Sequence, residues 1–131
     1  MRRPGSAGGV LPWRRRGPSR GISLKGMGVP SGAALVARGL PDGVFCSNDL
    51  MALGVLAALR DRGIRVPEDV AVVGYDDVSG AAFFSPSLTT VRQPFDEVGR
   101  LCMEVLLEAI GGSEGRSHSI SPTLQGRRSS T

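Results

Sequence analysis

Between Asp42 and Gly112 the chain alternates short, continuous apolar runs with longer segments of helical period, and this alternation constrains the fold more than any other feature. The run Asp69-Val70-Ala71-Val72-Val73-Gly74-Tyr75 is apolar at successive rather than alternate positions, rich in valine, and too short for a helix. Such a run suits a buried strand of a parallel sheet, where neither face meets water. Gly43 to Ser47 is a second run of the same kind. Between the two, Leu50, Leu53, Leu56, Ala57 and Leu59 recur at helical spacing. Ser47 or Asn48 stands where a helix N-cap accepts a bond from a free backbone N–H, Asp49 suits the positive end of the dipole, and Gly63 closes the segment. Strand, helix and strand in that order should wind right-handed, with parallel strands.

Leu88 to Val91 adds a third strand with β-branched residues, after an aperiodic stretch that holds Phe83, Phe84 and Pro86. Pro94 then opens a long helix. Asp96 and Glu97 fall at its positive end, Phe95, Val98, Leu101, Cys102, Val105, Leu106 and Ile110 form an apolar face that needs cover, and Gly111-Gly112 stops it. The expected fold is α/β, a parallel sheet with flanking helices, spread over residues 29–112. Residues 113–131 read as a polar tail in which Ile120 to Leu124 suits a short edge strand, because Pro122 cannot donate to a sheet centre. Residues 1–28, rich in Gly, Pro and Arg and without period, read as a disordered arm, and Ser31 to Gly39 as a short helix.

Composition narrows the function classes. At 131 residues one domain is expected. No apolar run approaches the roughly 20 residues of a membrane span, and the N-terminus lacks the apolar core and cleavage site of a signal peptide. A cytoplasmic protein without a membrane partner is therefore expected. The net charge of +4 hides two opposite segments: eight basic residues and no acid up to Pro41, then eleven acids against five arginines from Asp42 to Gly112, a net of −6. The arginine-rich arm offers salt-sensitive attraction to phosphates but no base readout. Cys46 and Cys102 sit in apolar runs without metal-ligand spacing, as small hydrophobes do. No GxGxxG, P-loop or nucleophile elbow occurs and the lone His118 lies in the tail, so neither an enzyme, a cofactor nor a metal is expected.

In open parallel sheets, ligands bind beyond the carboxyl ends of the strands. Here those ends are Ser47-Asn48-Asp49, Tyr75-Asp76-Asp77 and Arg92-Gln93, which the topology brings to one rim. Carboxylates accept paired bonds from vicinal hydroxyls, while amides both donate and accept, so the rim suits a polyhydroxylated ligand. Each residue also has a plainer account: Asn48 and Asp49 as helix caps, Asp76 and Asp77 as turn formers, Arg92 and Gln93 as solvated loop positions.

Two strings, VFCSNDLMALGVLAALRDRGIRVPEDVAVVGYDDV and SPSLTTVRQPFDEVG, resemble the C-terminal effector-binding region of LacI/GalR-type repressors. The resemblance runs from Asp42 to Gly112, with an echo in Ser121 to Leu124 and Arg127 to Thr131. It implies a periplasmic-binding-protein-like fold, of which this chain holds only part, and a sensor of sugar or a related small molecule in a transcription repressor. Asn48 and Asp76 are then expected to hydrogen-bond the effector's hydroxyls, with Gln93 and Phe95 near the cleft, and Asp49 is expected to meet the effector from its place on the same rim. A homodimer is implied, formed partly by Leu50, Leu53 and Leu56 and by Phe83 and Phe84. Operator DNA would be reached through a helix-turn-helix headpiece that these 131 residues do not contain, as in a truncated fragment. A sugar-binding protein of a transport system shares the fold but is expected to carry a signal peptide.

Overall fold

The computed structural model describes residues 21–24, 39–114 and 116–131. Five strands form one sheet in the order β1 (Gly21–Leu24), β2 (Gly43–Cys46), β3 (Ala71–Asp76), β4 (Thr89–Arg92), β5 (Thr123–Gln125). The first four run parallel and β5 closes the edge antiparallel to β4. Val44 stands opposite Val72, and Tyr75 opposite Val91, which brings the ends of β3 and β4 to a common level.

Helix α1 (Asp49–Arg60) joins β2 to β3 and forms as expected. Asn48, not Ser47, is its cap: the backbone is extended there and Oδ1 accepts the Met51 N–H at 2.7 Å. Past the last turn the chain leaves through Gly63 at φ +68, a left-handed conformation that glycine adopts without steric cost. The apolar stripe of α1 lies on the sheet. Met51, Ala52, Val55, Leu56 and Leu59 pack with Val44, Cys46, Val70, Val72, Ala81 and Leu88 into one buried cluster. Each larger side chain among them contributes about 1.5–3 kcal/mol by leaving water.

On the other face of the sheet Phe45 is exposed, and its ring meets that of Tyr75 edge-on at 6.3 Å. This face is only partly covered, with Ala71 and Thr89 buried but Phe45 open, where continuous apolar runs suggested burial on both faces. Helix α2 (Phe95–Ile110) follows Pro94 and ends at Gly111, within a residue of its expected limits, yet it has no buried residue.

Strand β4 is one residue later than Leu88 to Val91 and β5 begins at Thr123 rather than Ile120, and three other boundaries differ from the sequence reading. Gly21–Leu24, inside the segment expected to be a disordered arm, is a strand paired with β2; four residues need only a register partner, which composition does not reveal. Strand β3 starts at Ala71, because Val70 N–H bonds back to the Arg65 carbonyl and Asp69 ion-pairs with Arg65, closing a turn before the strand begins. The residues after β5 are no loose tail. Ser129 is fully buried, its backbone carbonyl accepts from Val72 N–H at 2.8 Å, and its hydroxyl donates to the Val72 carbonyl at 2.6 Å. The helix expected from Ser31 to Gly39 lies outside the described residues as far as Arg38.

Candidate effector site

The end of β3 is conformationally costly. Asp76 and Asp77 stand in succession at φ +112 and +56, a region that costs an L-residue about 1–2 kcal/mol each unless neighbours compensate. Two buried acceptors fix the corner. Asp77 N–H donates to Thr90 Oγ1 at 3.3 Å and Val78 N–H to Asp49 Oδ2 at 2.8 Å, while the Thr90 hydroxyl donates to Asp49 Oδ1 at 2.5 Å. Thr90 is buried in β4 and Asp49 in the first turn of α1, so the corner is held from two elements. This arrangement depends on Gly74. A Cβ there would overlap Asp49 Oδ1 and come within 2.9 Å of the Leu88 side chain.

Asp77 points inward, with 5% of its side chain exposed. Its Oδ2 accepts from Arg92 Nε at 2.6 Å and its Oδ1 from Arg127 Nη2 at 2.8 Å. Burial alone would raise this carboxyl, but the hydrogen bonds and charges of Arg127 and Arg92 outweigh it and hold Asp77 below the usual carboxylate range. Asp76 takes the opposite role. Its Oδ1 accepts from Gln93 Nε2 at 2.7 Å, and it lines an open cavity of about 550 Å³ together with Arg92, Gln93 and Phe95. The cavity therefore carries acceptors, amide and guanidinium donors, and an exposed aromatic ring, a set able to hold hydroxyls and an apolar ring face at once. A second cavity, of about 570 Å³, follows α2 and is lined mainly by apolar side chains, among them Val98, Leu101 and Val105.

Of the five residues expected to meet an effector, Asp76, Gln93 and Phe95 line one cavity. Asn48 is absent from that lining, and its side-chain oxygen caps α1. Asp49 requires correction: it is 0% exposed with both oxygens bonded inside the protein, so no ligand reaches it. The expected dimer residues divide as well. Leu50 (69% exposed), Leu53 and Phe83 (86%) are open on the surface. Leu56, 3% exposed, belongs to the core, and Phe84 packs against it; on helical geometry Leu56 lies on the sheet side of α1 and has little area left for a partner. Sequence reasoning missed Thr90 and Arg127. Thr90 showed only strand propensity, and Arg127 lay in a stretch without period.

A parallel sheet with ligand-type polar groups at its carboxyl rim defines a periplasmic-binding-protein-like sensor. The chain belongs to the periplasmic binding protein-like domain family, which its residues 13–130 match, and it is a sensor domain of the LacI/GalR type. The HTH-type transcriptional repressor PurR of Salmonella arizonae is 47% identical over 91 residues, 68% of this chain and 27% of PurR. Among solved structures, the lac repressor dimer bound to operator and the anti-inducer ONPF superposes with a TM-score of 0.67 at 32% identity, over 73% of this chain and 34% of that one. The transcriptional regulator CelR–cellobiose complex gives 0.69 at 30% identity, over 84% and 46%. The chain spans about a quarter of the length of the curated repressors it matches.

Proposed function

We propose that this chain is the effector-sensing part of a bacterial transcription repressor, binding a sugar or related polyhydroxylated molecule at the rim formed by Asp76, Gln93 and Phe95. The observation that carries the reading is the Asp76 carboxylate, held at a left-handed corner and bonded to Gln93, at the edge of the 550 Å³ cavity. One bond to Gln93 leaves the carboxylate further acceptor capacity for vicinal hydroxyls. Similarity to a regulator solved with cellobiose supports a carbohydrate, and similarity to a repressor dimer solved on its operator supports a role in transcription. In the intact protein Leu50, Leu53 and Phe83 would contribute to a homodimer, and a headpiece would contact operator DNA. Effector binding would then shift operator affinity by linkage.

Calorimetric titration with a panel of sugars and nucleosides tests the reading. At least one should bind, and Asp76→Ala should abolish that binding while circular dichroism stays unchanged. Binding that persists at wild-type affinity would return Asp76 to the status of a turn residue.

A further inference from the structure

Arg127 lies behind the candidate site and does not line its cavity. It enters from the segment after β5, where its backbone N–H donates to Thr89 Oγ1 and its Nη1 to the Leu88 carbonyl, both at 2.8 Å. With the backbone held on β4 and the guanidinium on the residue before it, Nη2 reaches Asp77 Oδ1 at 2.8 Å. Arg92 holds the other oxygen of the same carboxylate at 2.6 Å, and the residue after Arg92 is Gln93, which donates to Asp76. Two adjacent pairs thus run in parallel between the end of β3 and the end of β4: Asp77 with Arg92, and Asp76 with Gln93. Asp76 is itself the last residue of β3, in register with Arg92, whereas the Asp77 carboxylate is tied through Arg127 to the Leu88 carbonyl. Because Asp76 and Asp77 share a left-handed corner, a change in the Asp77 side chain is passed to Asp76 through one peptide unit.

The geometry points to Arg127 as a positioning residue of the effector site: through Asp77 it fixes the pose of the Asp76 carboxylate and its bond to Gln93. This rests on the effector-site reading above, in that the pose matters for a ligand only if Asp76 binds one. A guanidinium is suited to the task because its planar fork serves the Leu88 carbonyl and Asp77 together, which an ammonium point charge does less well.

Amide hydrogen exchange followed by NMR on the full 131-residue chain tests the positioning directly, with no ligand. Arg127→Met should raise exchange at the Asp77 and Val78 amides about 10-fold or more, with the Phe45 amide in β2 unchanged, and should shift the Gln93 side-chain amide resonances. Asp77→Asn should give the same local change, and the double variant no more than either alone, because the two residues act in series. Arg127→Lys keeps the charge and should give a smaller rise at the same amides, a comparison that stands even if the methionine variant does not fold. Unchanged exchange at residues 77 and 78 in Arg127→Lys and Arg127→Met, or effects that add in the double variant, would overturn the assignment. Calorimetry with cellobiose and guanosine as probes completes the test. For a probe whose binding Asp76→Ala abolishes, Arg127→Met should weaken affinity about 10-fold or more, and unaltered affinity would overturn the positioning role. If Asp76→Ala leaves binding untouched, the effector reading fails while the exchange data still decide the role of Arg127.

Discussion

Replacing Gly74 by alanine should unseat the buried brace that joins α1 to the β3 corner. The added Cβ would overlap Asp49 Oδ1 and stand 2.9 Å from the Leu88 side chain, and neither neighbour has open space behind it, both being fully buried. Overpacking of this kind costs about 1–3 kcal/mol. If the carboxylate is pushed aside, the bonds from Val78 N–H and the Thr90 hydroxyl weaken too, and hydrogen bonds to a charged group contribute about 1.5–3 kcal/mol each. Losing one of them brings the total to roughly 2.5–6 kcal/mol, partly offset by the roughly 0.4–1 kcal/mol that alanine gains over glycine in the unfolded chain. At a urea slope of about 1–3 kcal/mol per molar, the unfolding midpoint should fall by at least about 0.5 M. Gly43→Ala is the internal control, because its Cβ would meet only Ala71 atoms at 3.8 and 4.0 Å. Should the two variants unfold within about 0.5 kcal/mol of each other, the brace is not what Gly74 protects, and the reasoning fails.

Acid should weaken the fold partly through Asp77. Its folded-state value lies below the unfolded one, so its contribution is complete above about pH 4 and is lost as pH falls through the folded value. Urea midpoints measured between neutral and acid pH should show this limb, and Asp77→Asn should remove that part; an unchanged limb would refute it. Burial, reinforced by the charge of Asp49, pushes the Cys46 thiol up to about 12, whereas Cys102 is exposed. Alkylation at pH 8 should therefore modify Cys102 in the native chain and Cys46 only on unfolding, with mass spectrometry reading each site; equal native rates would contradict the buried position.

The fold was legible wherever one local rule was enough. Continuous apolar runs marked β2 and β3, the Asn48 cap and leucine stripe marked α1, and Pro94 and Gly111 bracketed α2. An edge strand was expected at Ile120 to Leu124; β5 does lie at the edge of the described sheet, but it begins at Thr123, after Pro122. What escaped depends on partners distant in sequence. No local feature of Gly21–Leu24 announces its pairing with β2, and none of Arg127 announces a carboxylate 50 residues earlier. The same limit divides the site residues. Asp76 and Asp77 read alike as neighbours in one strand end, and both line the cavity, yet one carboxylate is held by Gln93 and the other by a pair of arginines. Asp49 had a correct environment, the start of a helix, but which of several acceptor duties it performs is set by Thr90, 41 residues later.

The seal that Ser129 makes on Val72 gives the chain a schedule. During synthesis the β3 backbone emerges first, and the residue that covers its N–H and C=O follows 57 positions later. At ribosomal rates of about 5–20 residues per second, that delay is roughly 3–11 s, far longer than the microseconds in which β2, α1 and β3 can associate. Strand β4 covers Val73 to Asp76 sooner, so what waits for Ser129 is the Val72 N–H and C=O, beside a β4 edge that stays open until β5 arrives, the kind of surface on which a neighbouring nascent chain can pair.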